Sequence, residues 1–146
     1  MIRQYYLKKK SYGASLIEVL IALVVISIGL LGLASLQLSA MKNNQVALQH
    51  TQASSLAYEV LDLMRANRQQ ALNGNYDLPL GDSAPTGTSI PAVDLQRWKS
   101  NLAISLPNGD GGIQRTGNSI VTIIIQWNES HTGGDDNKQY VFTSEL

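Results

Sequence analysis

The most restrictive feature of the chain is a 21-residue apolar stretch, Leu16–Leu36, in which Glu18 is the single charged side chain. A helix rises ~1.5 Å per residue, so a stretch of this length crosses a bilayer core of roughly 30 Å. Lys8–Lys10 come shortly before it, and cationic flanks stay on the cytoplasmic side of a membrane. We therefore predict a single-pass membrane helix, with the residues from Gln37 onward on the far side.

Glu18 is the anomaly in this helix. An ionisable side chain at the bilayer centre costs on the order of 2.5–3.5 kcal/mol on insertion scales. A nearby positive charge is needed to offset that cost, and the sequence around Glu18 should supply one.

Two ordinary alternatives exist for this segment. In the first, it is a secretory signal peptide that is cleaved at Gly32-Leu33-Ala34. The apolar run is longer than the usual ~7–15 residues of such a peptide, and the helical pattern continues beyond Ala34. In the second, it is a plain membrane anchor in which Glu18 is incidental.

The residues before the apolar run carry a family resemblance. Gly13, followed by Ala14-Ser15-Leu16-Ile17 and Glu18, resembles the processing site of type IV pilins and pseudopilins. The resemblance implies that a prepilin peptidase cleaves between Gly13 and Ala14, and that Glu18, fifth in the processed chain, is the assembly glutamate. The family usually has Phe as the first mature residue, where this chain has Ala14.

Cleavage would create the missing positive charge. The new α-amine of Ala14 lies four residues before Glu18 and therefore on the same helical face. At ~4 Å and an effective dielectric constant of 20, the two charges attract by about 4 kcal/mol. We hypothesise that Glu18 pairs with its own amine in the bilayer and, as the resemblance implies, with a neighbouring subunit's amine on assembly.

A second segment is similar to a narrower family. Asp62-Leu63-Met64-Arg65-Ala66-Asn67-Arg68, followed by Gly74-Asn75-Tyr76, resembles the PilV family of minor pilins (type IV pilus modification proteins). The order Asp94, Trp98 and Leu106-Pro107 also fits that family. The resemblance implies an α+β, type IV pilin-like fold, in which a long N-terminal helix packs against a small antiparallel β-sheet.

The resemblance also implies a function. The protein would be a minor pilin that joins other minor pilins and the major pilin in the bacterial inner membrane, to prime or cap pilus assembly. Its head would lie in the periplasm and later in the extracellular pilus. Two alternatives stay open: a pseudopilin of a type II secretion or DNA-uptake system, and a membrane-tethered periplasmic binding or sensor domain.

The predicted organisation has four parts: a leader (1–13), a transmembrane and assembly helix (14–37), an amphipathic continuation (38–73) and a globular head (74–146). The continuation is predicted to end near Leu72, because Asn73-Gly74 is a usual helix stop. Its apolar positions recur at helical spacing and predict a stripe that faces the head: Leu38, Met41, Leu48, Ala53, Leu56, Val60, Leu63 and Met64.

The head is predicted to begin with a loop rich in Gly, Pro and Ser, Asp77–Pro91. A helix should follow with Asp94 as its N-cap and Trp98 as its anchor on the core, and Pro107 should end it. Three strands are then expected: 113–115, 119–128 with an apolar face, and 139–144 with Tyr140 and Phe142 on one side. A fourth strand has no secure position in the sequence.

Two motif residues and two membrane glycines each allow two interpretations. Arg65 and Arg68 lie near a helix C-terminus, where cations oppose the helix dipole; alternatively one of them pairs with Glu59 or Asp62, or reaches a partner subunit. Gly29 and Gly32 are either tolerated in a membrane helix or, as the pilin resemblance implies, lie where the helix unwinds on assembly.

Charge argues against nucleic-acid binding, and the lack of a Gly-x-Ser-x-Gly or phosphate-loop motif argues against an enzyme. Four of the eleven basic residues and none of the eleven acidic residues precede Ala14, so the processed chain would carry −4 in side-chain charge. A phosphate-binding surface needs the opposite sign. The chain has no cysteine, although major pilins commonly close a C-terminal loop with a cysteine pair. We expect neither a cofactor nor a metal: His50 and His131 are predicted to be solvated, and Asp135-Asp136-Asn137 to form a polar turn.

Overall fold

The computed structural model describes residues 13, 15–117 and 119–146. The chain divides after Ala40 into an N-terminal unit and a second unit, Met41–Leu146, which we call the head. The secondary structure consists of α1 (Leu16–Ala66), α2 (Arg68–Leu72), α3 (Ile90–Ser105), β1 (Asp110–Thr116), β2 (Ile120–Trp127), a short 3-10 helix (Ser130–Thr132) and β3 (Lys138–Glu145).

The N-terminal unit consists of the first part of α1. Every side chain from Leu16 to Ala40 is exposed, so this apolar surface has no partner among the described residues. α1 is the one described helix that is long and apolar enough to cross a membrane. Its length and composition agree with the membrane helix that the sequence predicts.

The helix predicted to continue to Leu72 is interrupted at Asn67. That residue has φ −116° and ψ 47°, outside the helical region, and its carbonyl accepts the first backbone hydrogen bonds of α2. After Leu72 the chain turns through Gly74, whose φ of 83° favours glycine. The helical segment therefore ends after Leu72, as Asn73-Gly74 predicts.

The head contains a three-stranded antiparallel sheet in the order β1-β2-β3. In the middle strand, Ile123 lies opposite Ile113 of β1 and Phe142 of β3. Alternate side chains of β2 are buried and form one apolar face: Val121, Ile123, Ile125 and Trp127. The head part of α1 packs against this sheet, so the predicted α+β, type IV pilin-like fold is confirmed.

α1 runs alongside β3 in the same direction. Ser54 contacts Tyr140, with their hydroxyl oxygens 3.4 Å apart, and Tyr58 packs on the Phe142 ring at a centroid distance of 4.8 Å. Further along both elements, Arg65 reaches the end of β3. Residue numbers therefore rise together on the helix and on the strand.

The buried face of α1 differs from the predicted stripe. The predicted positions Leu38, Met41 and Leu48 are exposed, and Leu63 is half-buried. Helical periodicity indicates which face of a helix is apolar, but it does not indicate where along the helix that face becomes buried. In α1 the first buried residue is Gln49. The buried residues of α1 are Gln49, Ala53, Leu56, Ala57, Val60, Leu61 and Met64.

α3 begins five residues earlier than predicted. Ser89 is its N-cap and accepts a hydrogen bond from the Ala92 amide at 3.4 Å, and Pro91 lies in the first turn, where its missing N–H is not needed. The prediction of Asp94 as N-cap is therefore wrong, because Asp94 lies inside the helix. The prediction for Trp98 is confirmed: it is fully buried, and its indole N–H donates to the Leu56 carbonyl at 3.0 Å.

The fourth strand, which had no secure position in the sequence, corresponds in the structure to a single β-bridge between Leu78 and Ile113. Leu78 and Ile113 exchange two backbone hydrogen bonds, of 2.9 and 2.7 Å, on the outer edge of β1. Gly112 allows this approach, because a Cβ there would lie 2.6 Å from the Leu80 amide nitrogen.

Candidate functional site

The processing sequence immediately precedes α1. Gly13 is exposed and outside any helix or strand, whereas Ala14 lies outside the described residues. Ser15 accepts two hydrogen bonds at the start of the helix: its Oγ from the Ile17 amide at 3.4 Å, and its carbonyl from the Val19 amide at 3.2 Å. The predicted cleavage position is therefore followed at once by a capped helix.

Glu18 lies in the first turn of α1 and is exposed. It is the single ionisable side chain between Leu16 and Met41. The N-terminal end of a helix carries a partial positive charge, which favours a nearby carboxylate by typically 0.3–1 kcal/mol. The helix end itself thus contributes to holding the charge of Glu18, in addition to the amine that cleavage would release.

Gly29 and Gly32 are not required by packing within the chain. A Cβ built at either position meets no atom within 4 Å. The absence of a side chain therefore matters only to what covers the helix from outside, lipid or another helix, which a glycine lets approach closely.

The arginines of the Asp62–Arg68 segment connect the end of α1 to the end of β3. Arg65 donates from Nη2 to the Ser144 hydroxyl at 3.1 Å and to the Glu145 carbonyl at 2.9 Å, and Arg68 donates from Nε to the Leu146 carbonyl at 3.3 Å. Compensation of the helix dipole therefore describes only part of their role.

The two acids proposed as partners of these arginines behave differently. Asp62 lies 3.9 Å from Arg65, and both side chains are largely exposed, so this pair contributes little. Glu59 instead accepts a hydrogen bond from Asn101 of α3 at 3.2 Å.

Three other residues of the segments that resemble PilV, Asn67, Tyr76 and Asp94, form a hydrogen-bonded chain whose Tyr76–Asp94 end is buried. The Asn67 amide donates to the Tyr76 hydroxyl at 3.3 Å, and that hydroxyl donates to Asp94 Oδ2 at 2.7 Å. Burial and the bond to Asp94 raise the pKa of Tyr76 to about 12. Arg97, one turn along α3, lies 3.5 Å from the other carboxylate oxygen of Asp94. These residues join the break after α1 to α3, which is a structural role.

Two more charged pairs fix loops of the head. Lys99 pairs with Asp110 at the start of β1. Burial alone would raise the pKa of Asp110, but hydrogen bonds from Lys99 and from the Gly111 and Gly81 amides outweigh it and lower that pKa. Asp77 is different, because burial raises its pKa even though Arg115 lies nearby.

His50 is only partly solvated, with 40% of its side chain exposed. Its ring meets Trp127 edge-on at a centroid distance of 5.1 Å, and its Nε2 lies 3.5 Å from Oε1 of Glu129, a carboxylate that is only 5% exposed. A packed aromatic neighbour is a long-range contact that local sequence does not reveal. His131, in contrast, is exposed as expected.

The possible metal-ligating side chains are dispersed over the part of the chain that the structure describes. In that part of the chain, no three His, Cys, Asp or Glu side chains approach closely enough to bind a metal ion. A cleft of about 470 Å³ lies beside the start of α3, and its walls, which include Asn67, Gln70, Asn75 and Ser89, carry no ionisable side chain.

Comparison with known proteins gives one match. The model of the prokaryotic N-terminal methylation motif matches residues 8–34, a range that includes Gly13, Ala14 and Glu18. No curated protein and no solved structure matches the chain. The motif indicates a type IV pilin-like prepilin, a class that includes pseudopilins and is processed by prepilin peptidase. Together with α1, it is consistent with anchoring in the inner membrane.

Proposed function

We propose that this type IV pilin-like prepilin is a minor pilin of the PilV kind. After prepilin peptidase removes residues 1–13, it joins other minor pilins and the major pilin through its N-terminal helix. This complex primes or caps the pilus, with the head on the periplasmic side of the inner membrane and then in the extracellular fibre.

The observation that carries the proposal is Glu18, one carboxylate on an apolar helix whose surface is exposed all round. Apolar surface of this extent needs lipid or other helices around it, and a charge in such surroundings needs an opposite charge. The Ala14 amine of the same chain supplies one in the bilayer. An assembled bundle of helices supplies both the apolar cover and a neighbouring amine, so assembly satisfies the two requirements together.

The head supports the narrower assignment. The residues that carry the PilV resemblance hold its core connections: Asn67, Tyr76 and Asp94 form one hydrogen-bonded chain, and Arg65 and Arg68 hold the end of β3. The residues that resemble PilV thus hold elements of the head together, and they carry the family resemblance beyond the membrane helix into the head.

The first test is mass spectrometry of the mature N-terminus. A chain that begins at Ala14, with or without a methyl group, supports a pilin or pseudopilin. A chain that begins at Met1, or after Ala34, supports a tethered periplasmic domain or a secreted protein instead.

The second test is substitution of Glu18 in cells that make pili. Glu18→Ala and Glu18→Val should insert in the membrane normally and be lost from the assembled complex, whereas Glu18→Asp, which keeps the charge, should retain partial incorporation. Normal incorporation of Glu18→Ala would contradict the proposal. Loss of protein secretion with intact pili would favour the pseudopilin alternative.

A further inference from the structure

A cleft in the head lies between α2 and the start of α3. One wall is formed by α2 and the residues on either side of it, and the other by the loop that leads into α3. Its volume of about 470 Å³ is in the range of small-molecule sites, roughly 300–1,000 Å³. The polar side chains that line it are all uncharged amides or alcohols: Asn67, Gln70, Asn75, Thr86 and Ser89.

Much of the hydrogen-bonding capacity of these side chains is unused. The Asn75 amide nitrogen donates to the Gln70 amide oxygen. Among the described residues, no partner binds the Gln70 nitrogen, the Asn75 oxygen or the Thr86 hydroxyl. The Asn67 side chain uses only its nitrogen, and the Ser89 hydroxyl only accepts, from a backbone amide. The lining of the cleft therefore offers both donors and acceptors.

Both walls are held in place by contacts outside the cleft. On one side, the buried Tyr76 accepts the hydrogen bond that fixes Asn67. On the other side, Gln96 of α3 donates to the carbonyls of Pro85 and Gly87, at 2.7 and 3.3 Å. The cleft is thus preformed, so less conformational freedom is lost when a ligand binds than at a flexible loop.

The lining restricts the class of ligand. The described walls carry no ionisable side chain, so a charged group would be buried without an opposite charge, which is unfavourable. A purely apolar molecule would instead leave the amides of the cleft without partners. Pro85 and Ile90, the latter 65% exposed, add apolar surface beside the polar groups. The ligand that fits is neutral, with many hydrogen-bonding groups around an apolar face.

We propose that this cleft is a binding site for a neutral carbohydrate of one or two sugar units. Each sugar hydroxyl both donates and accepts, as the mixed capacity of Gln70, Asn75 and Thr86 requires, and the C–H face of a sugar ring can pack on Pro85 and Ile90. A peptide backbone is also neutral, but its groups recur at the regular spacing of a strand, whereas those of the cleft lie on a helical wall and a loop.

The inference goes beyond the proposed function, because it gives the head a binding activity that does not depend on how the N-terminal helix is used. The test uses the full-length chain in micelles of a zwitterionic detergent, since alkyl glycoside detergents would themselves present sugars to the cleft. The probes are the methyl glycosides of glucose, galactose, mannose and N-acetylglucosamine, together with maltose and lactose. An uncharged peptide, blocked at both ends, is titrated in parallel.

Binding is followed by the NMR signals of side-chain amides. The signals of Asn67, Gln70 and Asn75 should shift along one saturable curve with at least one of the sugars. The signal of Gln69, which neighbours Gln70 but does not line the cleft, should stay in place.

Two matched pairs of variants locate the site. Gln70→Leu and Thr86→Val each remove hydrogen-bonding atoms from the cleft with little change in size. Gln69→Leu and Thr88→Val make the same changes at neighbouring positions that do not line it. Each cleft variant should weaken sugar binding about threefold to tenfold, and the controls should leave it unchanged. The fluorescence of the buried tryptophans shows whether each variant is folded, and Thr86→Val, at an exposed loop position, serves if Gln70→Leu fails to fold.

The outcomes decide the inference without involving pilus assembly. Saturable sugar binding that the folded cleft variants weaken and the controls do not would support it. The inference is overturned if no sugar gives a saturable shift, if cleft variants and controls bind alike, or if the peptide binds and the sugars do not. Each of these negative results leaves the minor-pilin proposal intact, because that proposal depends on the N-terminal helix.

Discussion

Removal of the Tyr76 hydroxyl deletes a single oxygen atom, yet we expect it to destabilise the head strongly. Tyr76 is fully buried, and its hydroxyl donates to Asp94, which is 8% exposed, at 2.7 Å. A hydrogen bond to a charged group contributes about 1.5–3 kcal/mol. Tyr76→Phe also leaves the Asn67 amide without its acceptor, so we expect a loss of about 2–4 kcal/mol in the free energy of unfolding.

The assay is chemical denaturation of the purified full-length chain, followed by tryptophan fluorescence of the head. Tyr58→Phe is the matched control, because Tyr58 is 50% exposed and packs on Phe142 through its ring; we expect a change below about 0.5 kcal/mol. Equal effects of the two substitutions would refute the reasoning, since burial of the hydroxyl would then have no energetic role.

The same hydroxyl predicts a pH dependence. Because the fold raises the pKa of Tyr76 from its usual 10 to about 12, its contribution is fully present below pH 10 and is lost as pH rises through 12. The difference in unfolding free energy between wild type and Tyr76→Phe should therefore shrink over that interval. A difference that stays constant up to pH 12 would contradict the assigned cause of the shift.

Three further predictions follow from contacts in the head. Because the fold lowers the pKa of Asp110, Asp110→Asn should lower the free energy of unfolding at neutral pH. In acid unfolding, the difference in that free energy between wild type and Asp110→Asn should disappear as the pH falls through the pKa that Asp110 has in the folded protein. Arg65→Ala should cost about 1–2 kcal/mol and speed amide exchange at the end of β3 more than in its middle. Gly112→Ala should destabilise the head by about 1–3 kcal/mol through overlap with the Leu80 backbone, whereas Gly32→Ala, which meets no atom, should leave the unfolding of the head unchanged.

The elements of the fold were predictable where one local pattern determines them. The alternation in β2 from Val121 to Trp127 and the stop after Leu72 each depend on neighbouring residues, and the structure agrees with both. The N-cap of α3 was not predictable in this way, because Asp94 is a good N-cap by type but is used by Tyr76, 18 residues away. Likewise, Leu38 and Met41 are exposed because they lie well before Gln49, the first buried residue of α1, and periodicity does not encode where burial begins.

The candidate site also has features that a local sequence pattern reveals and features that only the fold reveals. Gly13 and Glu18 are recognisable from their spacing, because both belong to the short N-terminal methylation motif that matches residues 8–34. The connection from Arg65 to the end of β3 joins residues 80 apart, and no local signal indicates it. The cleft between α2 and the start of α3 is likewise lined by segments that are separate in the sequence and that only the fold brings together.

The parallel course of α1 and β3 has a mechanical consequence. From His50 to Ala66 the helix rises about 24 Å, and from Lys138 to Glu145 the strand covers about the same length. Tension applied along α1 is therefore directed along β3 and across its hydrogen bonds to β2, which lie perpendicular to the strands. Such a load is shared by the whole ladder at once instead of opening it bond by bond, so the head is built to resist a pull along the direction of its helix.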